Sequence, residues 1–457
     1  NAAIFSLVNG LVLRAPAEVH QPDRLVQIAR SYESAPRWDT FSWPALNLIR
    51  TESRALSGVA GYSGSTFVLG RGTETARVLG DFVTGDFFEV LGVTPHIGRL
   101  LQRTDDVQPG AHAVVVLSHG LWTRRYGADP AVVGGTVQIG AVPYEVVGVA
   151  PEGFAGVENI GSPPLLFIPT MQHPGYRGQL TFEEWGSSWI NAVGRLEDTA
   201  SFEEAQIAME MVATRLRDAH PVNEGMEVLL AAGVGLDPEA RQGAQQISMI
   251  LLLIVGLVLL ITCTNVANLL LSRAAGRRTE VGVRMALGAG RARLLRQLVT
   301  ESSFLALMAT GFALPIVIIA GDLLPALFPY QLSVSVAADG RVYGFLTLTG
   351  IVAGVLFGAA PAWSVSRAGV LSALREGGST GGRTRTRLRD ALVVSQLGLS
   401  LGLVAGAALL GRSVMNARFA DPGFETAGLI TGSSTSSRPA GTTRSRALSS
   451  LRPCSMR

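Results

Sequence analysis

The chain has 457 residues, of which 47% are hydrophobic and only 16% are charged, and its formal net charge is +3. All 38 residues counted as Lys or Arg are arginine. Because a Walker A loop places a lysine on the nucleotide phosphates, these residues contain no standard ATP-binding loop. The positive charge lies in blocks beside apolar runs rather than between aromatic residues, which argues against nucleic-acid binding.

The sequence opens on a short apolar run, NAAIFSLVNGLVL. A run of about a dozen residues is shorter than the ~20 residues that cross a bilayer as a helix. A cleaved signal peptide is the less favoured alternative, because no basic segment precedes the run and no small-residue cleavage site follows it. We predict that residues 1–14 are the tail of a transmembrane helix whose beginning is missing from this sequence.

Residues 20–245 alternate between strand patterns and helix patterns that are separated by turn residues. The clearest helix pattern follows a capping box formed by Ser201 and Glu204. The region is therefore expected to form an α+β domain. Strands are predicted over 77–82, 113–117, 136–139, 144–149 and 165–169, and helices over 43–56, 121–126 and 202–220.

Four apolar segments near membrane-spanning length follow, over 247–271, 304–321, 342–363 and 391–411. The loop between the first two contains seven arginines and one acidic residue, Glu280, between Arg273 and Arg296. The linker 367–390 is also rich in arginine. Because such an excess marks the cytoplasmic side of a membrane, both loops are expected inside the cell. The predicted fold is an α-helical multi-pass membrane protein with an extracytoplasmic α+β domain.

Long motifs in both halves resemble a known family. Residues 85–101, GDFFEVLGVTPHIGRLL, and 115–154, VVLSHGLWTRRYGADPAVVGGTVQIGAVPYEVVGVAPEGF, resemble the periplasmic core domain of MacB-type ABC transporter permeases. The stretch TNVANLLLSRAAGRRTEVGVRMALGAG from Thr264 resembles the FtsX-like permease domain, which we expect over 247–366.

The resemblance implies a non-catalytic subunit in the bacterial inner membrane, with no cofactor of its own. ATP would be bound by a separate cytosolic ABC ATPase, and its hydrolysis would drive export or periplasmic work. The implied substrate is hydrophobic, lipidic, peptide or antibiotic-like. The alternative is an FtsX-like membrane-anchored signalling or scaffold protein that transmits conformational change without moving a substrate.

The resemblance also implies an ATPase-coupling segment inside the cytoplasmic region 273–298. Its small residues permit close approach of a partner, its apolar residues supply contacts, and Glu280 and Arg284 place opposite charges four residues apart. The simpler alternative is a charged loop whose Glu280–Arg284 pair supports only its own helix. The predicted segment consists of Glu280, Val281, Gly282, Val283, Arg284, Met285, Ala286, Leu287, Gly288 and Ala289. Arg291, Arg293 and Arg296 are expected to hold the following helix at the lipid surface.

The region after residue 366 resembles the opening of a second half, as in duplicated permeases without a fused ATPase. The helix at 391–411 would open that half, and 421–431 resembles the start of a second periplasmic region. Residues 432–457 are biased towards Ser, Thr and Arg and are expected to be disordered or degenerate. A working unit would then need a longer chain or a homodimer, and a periplasmic adaptor is a further candidate partner.

No pattern in the sequence indicates catalysis or metal binding. The adjacent carboxylates Asp105 and Asp106 are interpreted as a solvated surface, as are Glu183 and Glu184. The histidines lack ligand spacing. We therefore predict no catalytic, cofactor-binding or metal residue. The six histidines are His20, His96, His112, His119, His173 and His220.

Overall fold

The computed structural model describes residues 2–10, 16–32, 35–72, 75–158, 162–173, 182–236, 238–276, 291–327, 339–366 and 382–418. They divide into two compact units. One is an α+β domain within residues 16–236, and the other is a helical unit made of residues 2–10 and the helices from residue 238 onward.

The α-helices of the described residues are α1 (Ala2–Val8), α2 (Trp43–Glu52), α3 (Phe87–Leu91), α4 (His119–Tyr126), α5 (Phe202–Ala219), α6 (Pro238–Gly276), α7 (Arg291–Leu327), α8 (Gly340–Ser366) and α9 (Gly382–Arg418). The strands are β1 (Leu25–Tyr32), β2 (Ala35–Asp39), β3 (Phe41–Ser42), β4 (Leu56–Leu69), β5 (Ala76–Val83), β6 (Ile97–Gly98), β7 (Val114–Leu117), β8 (Thr136–Ile139), β9 (Val142–Val149), β10 (Leu166–Pro169), β11 (Ser188–Leu196) and β12 (Met226–Ala232).

The strands join in one connected sheet with the order β12-β1-β11-β4-β5-β10-β7-β9-β6. Most neighbours are antiparallel, but β10 pairs parallel with β5 and β7 pairs parallel with β9. The long strand β4 lies near the middle of the sheet and connects its two parts. It pairs with β11 on one side and β5 on the other, and its last residue also pairs with β8. An α+β domain is thus present where the sequence predicts one.

Three apolar clusters fill the domain. The first surrounds α3 and includes Phe87, Phe88 and Phe167. The second lies between α2, α5 and strands β1 and β11, and the third lies between α4 and strands β5 to β10. Burial of aromatic and branched side chains in these clusters supplies the main driving force for folding the domain.

Local signals explain where several elements begin and end. The Ser201 hydroxyl accepts a hydrogen bond from the Glu204 amide, and the Glu204 carboxylate accepts one from the Ser201 amide, which confirms the predicted capping box. At the start of α4 the Ser118 hydroxyl accepts a hydrogen bond from the Leu121 amide, and Gly127 ends that helix with a φ of 61°. The short β8–β9 connection places Gly140 at a φ of 58°, a conformation that favours glycine.

The predicted strands at 77–82, 113–117, 136–139, 144–149 and 165–169 are confirmed by β5, β7, β8, β9 and β10. The predicted helix over 43–56 is too long, because α2 ends at Glu52 and Leu56 already begins β4. Strand β4 has three glycines, and a Cβ at Gly61 would lie 2.6 Å from side-chain atoms of Leu46 and Ile190. Because glycine is needed for this close packing, β4 lacks the regular alternation of apolar and polar residues that would predict a strand.

Candidate functional site: an acid–arginine junction and the membrane unit

In the motif Gly85-Asp-Phe-Phe88, the first two residues belong to the turn between β5 and α3, and the two phenylalanines begin α3. The rings of Phe87 and Phe88 are fully buried and lie 6.3 and 5.3 Å from the ring of Phe167. A Cβ at Gly85 would collide with the carbonyl oxygen of Gln102, so the turn requires glycine. The residues that carry the family resemblance therefore hold the interior of the domain together.

A buried carboxylate, Asp86, ties this turn to helix α2. One of its oxygens lies 2.5 Å from an Arg50 nitrogen, and the other accepts a hydrogen bond of 2.7 Å from the Thr84 hydroxyl. Only 4% of the Asp86 side chain is exposed. The Arg103 guanidinium approaches within 3.9 Å. A buried charge is tolerated where ionic and hydrogen-bonding partners surround it, and Asp86 has both.

Asp106 completes what we call the acid–arginine junction, defined as Arg50, Asp86, Arg103 and Asp106. Its two carboxylate oxygens accept hydrogen bonds from the amides of Met171, at 2.7 Å, and Gly85, at 3.2 Å. Burial raises the pKa of Asp106 to about 7, although both hydrogen bonds and the charge of Arg50 act in the opposite direction.

The interpretation of Asp105 and Asp106 as a solvated surface is wrong. Asp105 is buried and forms a two-pronged ion pair with Arg99, with N–O distances of 2.6 and 2.9 Å. Burial raises the pKa of Asp105, but the hydrogen bonds from Arg99 and the Gln102 amide outweigh it and lower the pKa overall. The two neighbours thus face different environments and have pKa shifts of opposite sign. Spacing in the sequence does not reveal this difference.

The histidines are less scattered than the sequence indicates. The rings of His96 and His119 lie 4.9 Å apart, and both lie within 5.4 Å of the Trp122 ring. They meet because Val149 of β9 pairs with Ile97 on one side and with Leu117 on the other. Within the described part of the chain, however, no group of three or more potential metal-ligand side chains is present.

In the helical unit, the N-terminal segment contacts the later helices. The rings of Phe5 and Phe345 stack at 4.2 Å, and the Asn9 side-chain amide donates a hydrogen bond of 2.8 Å to Asp339. The same Asp339 carboxylate accepts from the backbone amides of Arg341 and Val342 at the start of α8. One carboxylate therefore caps a helix and fastens a second segment to it.

Two helical stretches of the described residues are long and apolar enough to cross a membrane, Pro238–Val266 in α6 and Val393–Ser413 in α9. Two shorter apolar stretches, Ser303–Ile319 and Gly340–Val355, lie in α7 and α8. Each of the four predicted spans lies within one of these helices, and two of the helices contain an apolar stretch of spanning length over described residues.

The predicted coupling segment, Glu280–Ala289, lies outside the described residues, so its role stays a prediction. The flanking helices are described: α6 ends at Gly276 and α7 begins at Arg291. Arg293 and Arg296 are exposed on the first turns of α7. The segments 421–431 and 432–457 also lie outside the described residues.

Comparison with protein-family models matches residues 1–212 to the MacB-like periplasmic core domain and residues 252–370 to the FtsX-like permease C-terminal region. The chain belongs to the MacB/FtsX-type ABC transporter permeases. Members of this family are generally non-catalytic transmembrane components. The α+β domain described above is accordingly a MacB-like periplasmic domain.

Curated relatives include the macrolide export ATP-binding/permease protein MacB of Escherichia coli O157:H7, which is 26% identical over 293 residues. The match covers 64% of this chain and 42% of that protein. The MacB of Shigella flexneri is 25% identical with the same coverage. This chain therefore spans about two fifths of the length of these relatives.

Among solved structures, the periplasmic region of MacB from Actinobacillus actinomycetemcomitans is 16% identical, with a TM-score of 0.35. The match covers 50% of this chain and 93% of that one. The extracellular domain of the noncanonic ABC-type transporter YknZ from Gram-positive bacteria is 15% identical with a TM-score of 0.33, covering 45% of this chain and 99% of that one.

The acid–arginine junction is the part of the site that sequence reasoning missed. The motif Gly85-Asp-Phe-Phe88 was visible in the sequence, and it contains one member of the junction, Asp86. Arg50 lies on a different element and nothing in its local sequence indicates an ion pair. Only the packing of α2 against β4 and β11 brings its guanidinium to Asp86.

Proposed function

We propose that this chain is the transmembrane subunit of an ABC transporter in the bacterial inner membrane. It couples ATP hydrolysis by an ATPase outside these 457 residues to export, or to periplasmic mechanical work, on a hydrophobic, lipidic, peptide or antibiotic-like substrate. The observation that carries the proposal is the order of a MacB-like periplasmic core domain followed by an FtsX-like permease region. The similarity to macrolide export proteins favours export of an antibiotic-like molecule.

The surface of the helical unit supports a membrane-spanning role for four helices. Large apolar side chains are exposed along α6, α7, α8 and α9, including Leu253, Phe312, Ile351 and Leu401. A helix that is apolar on all sides and exposed is stable in lipid but not in water. The arginine-rich segments support an extracytoplasmic position for the α+β domain, because an excess of arginine marks the cytoplasmic side of a membrane.

The segment Glu280–Ala289 is proposed to contact the ATPase. It lies between α6 and α7 in the sequence, and the arginines around it favour the side of the membrane on which the nucleotide is found. Its opposite charges, Glu280 and Arg284, are spaced to face one side of a helix, so a partner could pair with both.

The test is co-purification of the full-length chain with the ABC ATPase subunits of the organism that makes it, together with the ATPase rate of any complex that forms. We expect Glu280→Ala/Arg284→Ala to abolish association. The charge-swapped Glu280→Arg/Arg284→Glu retains a pair within the helix but reverses the charges that a partner meets. It should therefore fail as well, whereas Arg293→Ala/Arg296→Ala, changed outside the segment, should still bind.

Normal association of the charge-swapped variant would mean that the pair supports only its own helix, and the coupling role would be lost. Failure of the unaltered chain to bind any ATPase would overturn the transporter proposal itself. A complex whose ATPase rate is indifferent to every hydrophobic, peptide or macrolide compound tested would favour the signalling or scaffold alternative.

A further inference from the structure

An open hollow of about 800 Å³ lies in the α+β domain, at the end of β4 beside the end of α4 and strand β8. Its volume falls in the range of ~300–1,000 Å³ that is usual for small-molecule sites. Polar side chains from three separate elements line it: Arg71 after β4, Arg125 and Tyr126 at the end of α4, and Thr136 and Gln138 on β8. It is remote in sequence from the predicted coupling segment and no family match assigns it a role.

Arg71 is held in place by a neutral partner. Its Nε and one Nη donate hydrogen bonds of 3.0 and 2.7 Å to the side-chain oxygen of Gln138. The Gln138 amide nitrogen in turn donates to the Gly140 carbonyl at 3.1 Å. Since no salt bridge of Arg71 occurs among the described residues, its charge is oriented but not neutralised there.

The second guanidinium, Arg125, belongs to the last turn of α4 and lies against the Tyr126 phenol. Burial raises the pKa of Tyr126, while the charge of Arg125 and a hydrogen bond with it act in the opposite direction. A cation in the last turn also suits the helix dipole. The helix dipole accounts for a cation at the position of Arg125 but not at that of Arg71, which follows β4 and lines the same hollow.

We propose that this hollow binds a small molecule through a phosphate or carboxylate group, with Arg71 and Arg125 as the charged ligands. A guanidinium offers parallel N–H donors that match two oxygens of such a group. The hydroxyls of Tyr126 and Thr136 can donate to the remaining oxygens. Leu69 and Val137, which are buried and also line the hollow, provide an apolar floor for the body of the ligand.

The test uses the full chain in nanodiscs of phosphatidylcholine, with binding of radiolabelled inorganic phosphate measured by equilibrium dialysis. We expect saturable binding that weakens about tenfold in Arg71→Gln and in Arg125→Gln, the usual effect of losing a charge-assisted hydrogen bond. Arg124→Gln is the matched control. It removes the same charge from the same helix turn, but its guanidinium lies beside Gly120 and does not line the hollow.

A second arm separates the two sources of this chemistry. Dihexanoyl phosphatidylglycerol competes with phosphate if an anionic lipid headgroup occupies the hollow, and dihexanoyl phosphatidylcholine, whose choline cation offsets its phosphate charge, serves as the zwitterionic control. Competition by the anionic lipid alone identifies a lipid headgroup as the ligand, and failure of both lipids identifies a free anion. Either result supports the proposal when the arginine dependence holds.

Absence of saturable binding of phosphate and of the anionic lipid would overturn the site. Equal weakening by Arg71→Gln, Arg125→Gln and Arg124→Gln would also overturn it, because that pattern reports bulk charge rather than a pocket. Thermal unfolding of each variant is recorded in parallel, and Gln138→Ala is added as a positioning variant. It keeps both arginines and should weaken phosphate binding less than either arginine change.

Discussion

The α+β domain buries most of its large apolar side chains, whereas the described helical unit exposes many of them. Large apolar residues that are exposed number only five in the described part of the domain: Leu79, Val107, Ile207, Met211 and Val222. The described helical unit exposes 27 of them. The hydrophobic effect explains the buried apolar side chains of the domain. It also explains the exposed ones of the helical unit if lipid, rather than water, surrounds that unit. The difference is the one expected of a domain that folds in water and of helices that fold in lipid.

Polar groups follow the same division. In the domain, charges at the edge of the core are matched, as in the pairs Asp86–Arg50 and Asp105–Arg99. In the helical unit, the contact between Asn9 and Asp339 links two segments through a neutral donor and a helix-capping carboxylate. The domain thus uses ion pairs near its core, and this contact in the helical unit uses a hydrogen bond and a capped helix end.

The largest expected effect comes from removing an aromatic anchor of the domain. Phe88 is 1% exposed and lies 5.3 Å from the ring of Phe167. Phe88→Ala should lower the free energy of unfolding of the domain by about 3–5 kcal/mol, because it removes apolar contact and leaves a cavity. Tryptophan fluorescence during denaturant unfolding reports this, since five of the six tryptophans lie in residues 16–236. Ile207→Ala, at a side chain that is 62% exposed, should change stability by less than about 0.5 kcal/mol.

A charge placed on the exposed apolar surface of the helical unit tests whether that surface faces lipid. Leu253 lies in α6 and is 64% exposed. If that surface faces lipid, Leu253→Arg should disfavour membrane insertion by about 2.5–3.5 kcal/mol near the bilayer centre. The fraction of newly made chain that integrates into membranes measures this effect. Ile207→Arg, on the domain surface, is the control and should integrate normally; equal integration of both variants would contradict a lipid-facing α6.

The sequence predicts features that are encoded within a single helix or strand. It does not predict features that arise where several helices and strands pack together. Strands β5 and β7 to β10 and helix α5 follow from alternation, periodicity and the Ser201 capping box. The sequence does not predict strand β4, because Gly61 serves close packing against Leu46 and Ile190 and interrupts the strand pattern, and the predicted helix over 43–56 runs into the strand. The junction between Arg50 and Asp86 joins residues 36 positions apart, so no local signal marks it.

The pH dependence of the domain should depend on Asp106. The pKa of this carboxyl is raised to about 7 in the folded domain, above its ordinary value near 3.8, so folding favours its protonated form. The proton that Asp106 binds therefore stabilises the folded domain fully at acidic pH, and this part of the free energy of unfolding is lost as the pH rises towards 7. Asp81 acts in the same direction, because burial and the charge of Glu158 also raise its pKa to about 7.

Thermal unfolding between pH 5 and about 8 provides the measurement. We expect the midpoint of the unaltered domain to fall by several degrees over that range, since about 1 kcal/mol shifts the midpoint of a domain of this size by about 2–4 °C. Asp106→Asn should reduce that fall, and Asp106→Asn/Asp81→Asn should reduce it further. A fall that is the same in all three chains would show that neither carboxyl is responsible.

The smallest expected effect comes from the cap of helix α5. Ser201→Ala removes the hydroxyl that accepts a hydrogen bond of 3.2 Å from the Glu204 amide. The domain should lose about 1 kcal/mol of stability, because one amide at the helix start is left to water. Ser201→Asp should keep most of it, since an aspartate can accept the same hydrogen bond and interacts favourably with the helix dipole. Both variants should leave membrane integration unchanged, because the cap belongs to the unit that folds in water; an integration defect in either one would mean that the two units do not fold independently.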